Sequence, residues 1–286
     1  MIKQSDCTII IPHYGSSDEA EYALDECLQS LKETVPDIKI ILAINGRECG
    51  LTETHKLLHD KMEYIEMDRQ GQAGAVNAAV ATTNTPWIFV TNDDMIYAPG
   101  WFEKLQEYIW TDAPQETPMM CISPMLVEPR PGAPTFLVEM CGGAGGDFDK
   151  QKWLDFASKE RYPEHRRVTT GFNLPFLIKR ELWDLIGGYD VNYDPWGSNS
   201  DSDLEYKIKL AGIQPMQNKN CIVYHFSQTS GTFEPRNDEY RFKNYEYFRQ
   251  KWGFDRTDDG IWEASFSVPT PEQGRIFQPD WENKYK

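Results

Sequence analysis

Ile88-Phe89-Val90-Thr91-Asn92-Asp93-Asp94-Met95 is an apolar run that ends in two adjacent carboxylates. The run is short, aromatic and β-branched, which predicts a buried strand over 87–91. Burying unpaired carboxylates is costly, so Asp93 and Asp94 belong at the mouth of a sheet, where a cation can compensate them. Mg2+ and Mn2+ are hard cations that take oxygen ligands and share them with substrate phosphates. One reading is therefore a metal-bound nucleoside diphosphate lying across the end of an α/β sheet. The other is a solvated, Asp-rich turn at a strand end.

The sequence on either side supports a sheet of that kind. Thr8-Ile9-Ile10-Ile11-Pro12 is a short apolar run closed by proline, as a buried parallel strand would be. Helical spacing follows over 17–32, with Ala20, Ala23, Leu24, Cys27, Leu28 and Leu31 on one side and Ser17 or Asp18 as the cap. Strands are predicted over 39–44 and 64–67, and helices over 51–61, 72–82 and 101–110. Alternating strands and helices of these lengths imply a parallel sheet covered on both faces. Ligands of such sheets bind beyond the carboxyl ends of the strands, and Pro12, Asn45, Arg69 and Asp93-Asp94 fall at those ends. Residues 112–170 are irregular and rich in proline and glycine, which predicts short mixed strands and a mobile loop around 145–168. Regular structure is predicted again over 176–178 and 221–224 as strands and over 180–186, 203–211 and 237–252 as helices, followed by an extended tail.

The 286 residues can bury a sizeable core. Lys and Arg number 29 against 45 Asp and Glu, a net charge of −16. That excess argues against a nucleic-acid surface and against unaided adsorption to anionic lipid. A local basic cluster lies at 161–167. No segment is apolar over the length a bilayer requires, and the N-terminus lacks a signal-peptide plan. The six cysteines are scattered with no CxxC pair, which predicts reduced thiols in a cytoplasmic protein.

Three further segments can carry chemistry. Arg69-Gln70-Gly71-Gln72-Ala73-Gly74-Ala75-Val76-Asn77 puts small residues at a helix start, where backbone can approach phosphate; a tightly packed Ala/Gly helix is the alternative. Trp196-Gly197-Ser198-Asn199-Ser200-Asp201-Ser202-Asp203-Leu204 offers two aspartates. Either could cap the following helix, and one could take a proton from an incoming hydroxyl. His225 follows the strand at 221–224, where a neutral imidazole could complete a cation site or serve only as structure.

Taken together, the chain resembles the inverting glycosyltransferases of family two, with the GT-A fold, over about 8–252. The residues that carry the resemblance occur in the family's order. They are Thr8-Ile9-Ile10-Ile11-Pro12-His13-Tyr14, Leu28-Gln29-Ser30-Leu31, Ala43-Ile44-Asn45-Gly46, the 69–77 segment, Asn92-Asp93-Asp94 in the place of the DxD motif, Gly187-Gly188-Tyr189-Asp190, Ser200-Asp201-Ser202-Asp203-Leu204, and Val223-Tyr224-His225. Asn45, Asn92 and Ser200 stand where the family usually has acids, and Arg69 where it has asparagine.

The resemblance implies a GT-A (Rossmann-like), mostly parallel central sheet flanked by helices, with a small mixed acceptor-side sheet and a C-terminal helical extension. Residues 1–111 would form the nucleotide-sugar half, 112–235 the acceptor-side half with the catalytic base, and 236–286 a helix and tail, all in one domain. It implies transfer of a sugar from a nucleoside-diphosphate sugar to the hydroxyl of a glycan or glycolipid acceptor. The donor is expected to be a UDP-sugar before a GDP- or dTDP-sugar. Asp94 and His225 would hold Mn2+ or Mg2+, and Asp201 would be the base, with Asp203 the alternative. Pro12, Tyr14, Asn45, Arg69 and Asp93 would contact the nucleotide, and Gly71, Gly74 and Asn77 would line the adjoining pocket. Gly171, Asn173 and Trp196 would face the donor sugar or the acceptor. The setting implied is cytoplasmic, at a membrane only through the acceptor. A nucleotidyltransferase would need a basic, glycine-rich triphosphate loop, and His13-Tyr14-Gly15-Ser16-Ser17-Asp18 is not one. A catalytically silent relative that binds carbohydrate or nucleotide is the third reading.

Overall fold

The computed structural model describes residues 1–15, 17–46, 55, 58–111, 121–131, 136–163, 166–195, 197–227 and 238–252. Its strands are β1 (Cys7–His13), β2 (Lys39–Asn45), β3 (Met62–Met67), β4 (Trp87–Val90), β5 (Met95–Ile96), β6 (Cys121–Glu128), β7 (Leu137–Val138), β8 (Val168–Thr170), β9 (Phe176–Lys179) and β10 (Met216–His225). Its helices are α1 (Asp18–Thr34), α2 (Gln72–Ala81), α3 (Trp101–Thr111), α4 (Lys150–Ala157), α5 (Arg180–Ile186), α6 (Ser200–Leu210) and α7 (Asp238–Trp252).

Among the described residues these ten strands join one sheet in the order β3-β2-β1-β4-β9-β6-β10-β5, with β7 beside β6 and β8 beside β10. The β3-β2-β1-β4 half is parallel throughout. The other half is mixed, because β9 runs antiparallel to both β4 and β6. The mixed strands, expected as a small separate sheet, are thus continuous with the parallel half.

Side-chain alternation explains why both faces are covered. Ile9 and Ile11 of β1, Leu42 of β2 and Phe89 of β4 pack against Leu24, Cys27, Leu28 and Leu31 of α1 and Trp101 and Phe102 of α3. Ile10, Ile41, Ala43, Ile88 and Val90 point the other way, onto Ala73, Val76, Ala79 and Val80 of α2 and Trp183 of α5. The small residues of α2 let that helix lie close to the sheet. Ser17 caps α1 by accepting from the Ala20 N–H at 3.2 Å, as expected of that residue type.

The second half is more regular than its composition suggests. β6 is eight residues long and wholly buried, although it contains Pro124. Proline cannot donate to a ladder, so the strand was not legible from its sequence. The fold admits it because the β6–β10 register shifts between Asn218 and Ile222, just past the pair Asn218–Pro124. Within the expected loop at 145–168, α4 forms under an Asp149 cap that accepts from Lys152 N–H at 2.9 Å, and its Trp153 is buried. Two helical turns are too few to show a periodicity. Helix α6 begins at Ser200 rather than 203, and β10 at Met216 rather than 221. Of the helix expected over 51–61, residues 58–61 form a bend and turn into β3; 51–54 and 56–57 lie outside the described residues, as do the tail beyond 252 and Trp196.

Candidate active site

Strand register brings the acids of the β4 turn to the histidine of β10. β5 pairs antiparallel with β10, His225 facing Met95, and the Phe226 N–H donates to the Asp94 carbonyl at 3.1 Å. β6 pairs parallel with β10, Val127 facing Tyr224, which leaves Glu128 beside His225. His225 Nε2 consequently lies 3.3 Å from Asp94 Oδ2, and Nδ1 lies 2.9 Å from Glu128 Oε1. Burial works against a charged imidazole, but the Asp94 and Glu128 carboxylates outweigh it and push the His225 pKa up to about 10.

This pair fits a divalent cation. Adjacent donors of an octahedral ion sit about 3 Å apart, given bonds of about 2.1 Å. A metal-bound imidazole commonly gives its second N–H to a carboxylate, the place Glu128 takes. Among the described residues no group of three or more His, Cys, Asp or Glu is arranged to hold an ion. Asp94 and His225 would therefore supply two positions, and substrate oxygens and water the rest.

Asp93 turns the other way. Its Oδ2 lies 2.6 Å from Nδ1 of buried His13, at the end of β1. Nε2 of that imidazole lies 3.4 Å from Glu21 Oε1, and His55 Nε2 lies 3.4 Å from Glu21 Oε2 and 3.0 Å from Asp25 Oδ1. Burial alone would lower the His13 pKa, but the Asp93 and Glu21 carboxylates raise it above the ordinary value. A row of alternating carboxylates and imidazoles so runs from the β4 turn into α1. It was not foreseen, since 80 residues separate His13 from Asp93.

The residues expected on the nucleotide side divide into two kinds. Pro12 is buried within β1. Tyr14 follows that strand, and Arg69 Cζ lies 4.2 Å from the centre of its ring, a cation–π stack at the strand ends. Asn45, nearly buried at the end of β2, accepts from the N–H groups of Gln70 at 2.8 Å and Gly71 at 3.1 Å. It holds the loop that carries Arg69.

Gly71, Gly74 and Asn77 each lie against another residue of the chain. Asp194 accepts from Ala73 N–H at 3.1 Å and Gly74 N–H at 2.8 Å, so an internal carboxylate occupies the anion-favouring start of α2. Burial pushes the Asp194 pKa up to about 7 despite those two bonds. A Cβ on Gly71 would fall 2.3 Å from Asp194 Cγ, and φ there is +110°, so both space and backbone call for glycine. Asn77 is buried and holds Tyr189 by two bonds: its amide donates to the Tyr189 carbonyl at 2.8 Å and accepts from the Tyr189 N–H at 2.9 Å.

Asp201 sits in the first turn of α6, and the buried Tyr189 hydroxyl donates to its Oδ1 at 2.7 Å. Neither Asp201 nor Asp203 caps the helix; Asn199, in the left-handed region at φ 68°, occupies that place. Asp203 is fully buried, accepts from Tyr193 Oη–H and Trp252 Nε1–H, and is paired with Lys251. Those partners all meet its Oδ1. Gln72 joins this side to the acids: its amide donates to Asn92 Oδ1 at 3.2 Å, and a Cβ on Gly197 would lie 3.4 Å from Gln72 Oε1.

Gly171 and Asn173 are tied to the sheet. The Gly171 N–H donates to Pro215 O at 3.1 Å. Asn173 donates its amide to Pro124 O at 3.2 Å and accepts from Gln217 at 2.6 Å, so its polar atoms serve the β6–β10 irregularity.

Residues 8–115 match the family model described as glycosyl transferase family 2, a little over a third of the chain. The fold is GT-A-like. It is similar to a mannosyltransferase of Pyrobaculum calidifontis solved with GDP-Man and Mn2+ (TM-score 0.51, 16% identity, covering 86% of this chain and 64% of that one). It is also similar to GalNAc-T7 solved with UDP, GalNAc and Mn2+ (TM-score 0.57, 16% identity, 98% and 54%) and to TarS residues 1–349 of S. aureus (TM-score 0.50, 12% identity, 94% and 77%). The chain thus spans less than two thirds of the first two of these proteins. Comparison with curated proteins gives no match.

Proposed function

We propose that this chain is a metal-dependent glycosyltransferase that moves a sugar from a nucleoside-diphosphate sugar to an acceptor hydroxyl, with inversion, in glycan or polysaccharide assembly. The observation that carries the reading is the Asp94–His225 pair at 3.3 Å, set by strand register at the carboxyl end of a GT-A-like sheet. Two of the similar structures hold Mn2+, one with GDP-Man and the other with UDP and GalNAc, which supports a divalent ion here as well.

In this reading the donor lies across the ends of β1, β2 and β4. Tyr14 and Arg69 flank the base, Asn45 keeps the Arg69 loop in place, Pro12 shapes the floor, and Asp93, held by His13, faces the ribose. Asp94 and His225 would hold Mn2+ or Mg2+, which would supply positive charge to the departing diphosphate. Asp201, oriented by Tyr189, takes the proton of the acceptor hydroxyl as its oxygen attacks the anomeric carbon from the face opposite the diphosphate. A single displacement inverts the anomeric centre. Fixed geometry and charge stabilisation supply most of the acceleration. Gly71, Gly74 and Asn77 act behind the site by holding Asp194 and Tyr189. The segment with Gly171 and Asn173 shapes the acceptor side.

Residues 1–111 serve the donor and 112–235 the acceptor. The reaction belongs to the cytoplasm, at a membrane only through its acceptor; the five described cysteines are buried and free, as reduced thiols would be. Among the described residues no helix is long and apolar enough to cross a membrane.

The test is a thermal-shift panel of UDP-, GDP- and dTDP-sugars with and without Mn2+. A ligand that binds only the native state raises the melting temperature. The reading expects a nucleotide sugar, UDP-sugars first, to do so only when Mn2+ is present. No response from any nucleotide sugar would overturn it.

A further inference from the structure

Helix α7 reaches the candidate base through one lysine. Lys251 Nζ lies 2.6 Å from Asp190 Oδ2 and 2.7 Å from Asp203 Oδ1, with both carboxylates almost fully buried. Asp190 directly follows Tyr189, the hydroxyl donor to Asp201, and Asp203 lies two residues beyond Asp201 in the same helical turn. A single cation therefore clamps the segments that carry the two members of the Tyr189–Asp201 hydrogen bond.

The surroundings restrict how far that clamp can move. Trp252 donates to Asp203 at 2.9 Å, Tyr247 donates to Asp190 at 2.9 Å, and the Trp252 ring packs edge-on against Tyr206 of α6 at 4.4 Å. Lys207 of α6 lies 3.7 Å from Asp203 and donates to the Gly188 carbonyl, a second tie between the same segments. Two acids and two lysines balance in charge. Without Lys251, Asp190 and Asp203 would repel each other across the span that the Tyr189 hydroxyl must bridge.

We propose that Lys251 is a positioning residue for the proton acceptor: α7 sets the geometry of the Tyr189–Asp201 pair through the Asp190–Lys251–Asp203 clamp. The inference rests on Asp201 being the base. It extends the positioning of the base to α7, the helix Asp238–Trp252.

The experiment is a double-mutant cycle. Lys251→Met alone leaves buried acids unbalanced and endangers folding, so it is paired with Asp190→Asn, which keeps the remaining Asp203 and Lys207 in charge balance. Tyr189→Phe is introduced in the wild type and in that pair. Melting temperature is read throughout, and nucleoside diphosphate release is read with Mn2+ and UDP-, GDP- and dTDP-sugars. Tyr189→Phe is expected to lower the melting temperature of the wild type but hardly that of the Lys251→Met/Asp190→Asn protein, since contacts in one network are not additive. Small misplacement of a reacting group is costly, so kcat is expected to fall roughly ten- to hundredfold with donor KM little changed. Lys251→Arg is expected to restore most of it. Additive melting shifts, or an unchanged kcat in the folded pair variant, would overturn the clamp. Retained turnover in Asp201→Asn would instead overturn the base assignment while leaving the thermal coupling in place.

Discussion

His225 Nε2 and Asp94 Oδ2 stand 3.3 Å apart across the β5–β10 pairing, with Glu128 2.9 Å behind the imidazole. Removing each side chain should cost cation affinity differently. Asp94→Asn takes away a charged ligand and is expected to abolish stabilisation by Mn2+. Glu128→Gln keeps the shape behind the ring and is expected to weaken Mn2+ affinity roughly 10- to 100-fold. Calorimetric titration with Mn2+ in the presence of UDP checks both. Full affinity in Asp94→Asn would exclude the pair as the cation site.

Arg69 stacks on Tyr14 at the strand ends. If a nucleobase joins that stack, Arg69→Met and Tyr14→Ala should each raise donor KM while sparing kcat, because the contact is made equally before and during reaction. A rise of roughly tenfold matches the usual worth of stacking a base on an aromatic ring. A loss confined to kcat would move this stack away from the nucleotide.

Asn77 closes both backbone bonds of Tyr189 inside the core. Asn77→Leu leaves a buried N–H and a buried carbonyl unpaired, with an expected destabilisation of roughly 2–4 kcal/mol in urea unfolding. A loss below about 0.5 kcal/mol would mean that other partners replace the amide.

Much of this was legible in the sequence, for local reasons. β1, α1, β2, α2 and β4 repeat their hydrophobic pattern over enough residues to be read, and Ser17 was visible as a cap. The turn Asn92-Asp93-Asp94 and His225 stood out because acids and a histidine ended apolar runs. What escaped depends on distant partners. Pro124 concealed β6 because the irregularity that tolerates it belongs to β10. Asp194 reads as an ordinary turn residue until the start of α2 is placed against it, 120 residues away in sequence. The bonds that Asn77 makes to Tyr189 and Asn173 to Pro124 and Gln217 join residues far apart in sequence, so no local pattern shows them. Asp203 was separated from Asp201 only by α7, whose Lys251 and Trp252 take it into the core.

Asp194 also makes a pH-dependent prediction. Its folded pKa of about 7 lies above the ordinary 3.8, so the folded state holds this proton more tightly than the unfolded chain. Its contribution is therefore fully present below about pH 4 and lost as pH rises towards 7. The stability advantage of the wild type over Asp194→Asn is expected to shrink over that interval, read as melting temperature against pH. An advantage that grows with pH would reverse the assignment, placing the ionised carboxylate as the form that the α2 N–H groups favour.

The most direct test of the whole account is product formation by Asp201→Asn, with Mn2+ and a nucleotide sugar that stabilises the protein. The account expects donor binding to persist while nucleoside diphosphate release falls roughly 10²- to 10⁴-fold, the usual worth of a positioned general base. Turnover close to wild type in that variant would contradict it.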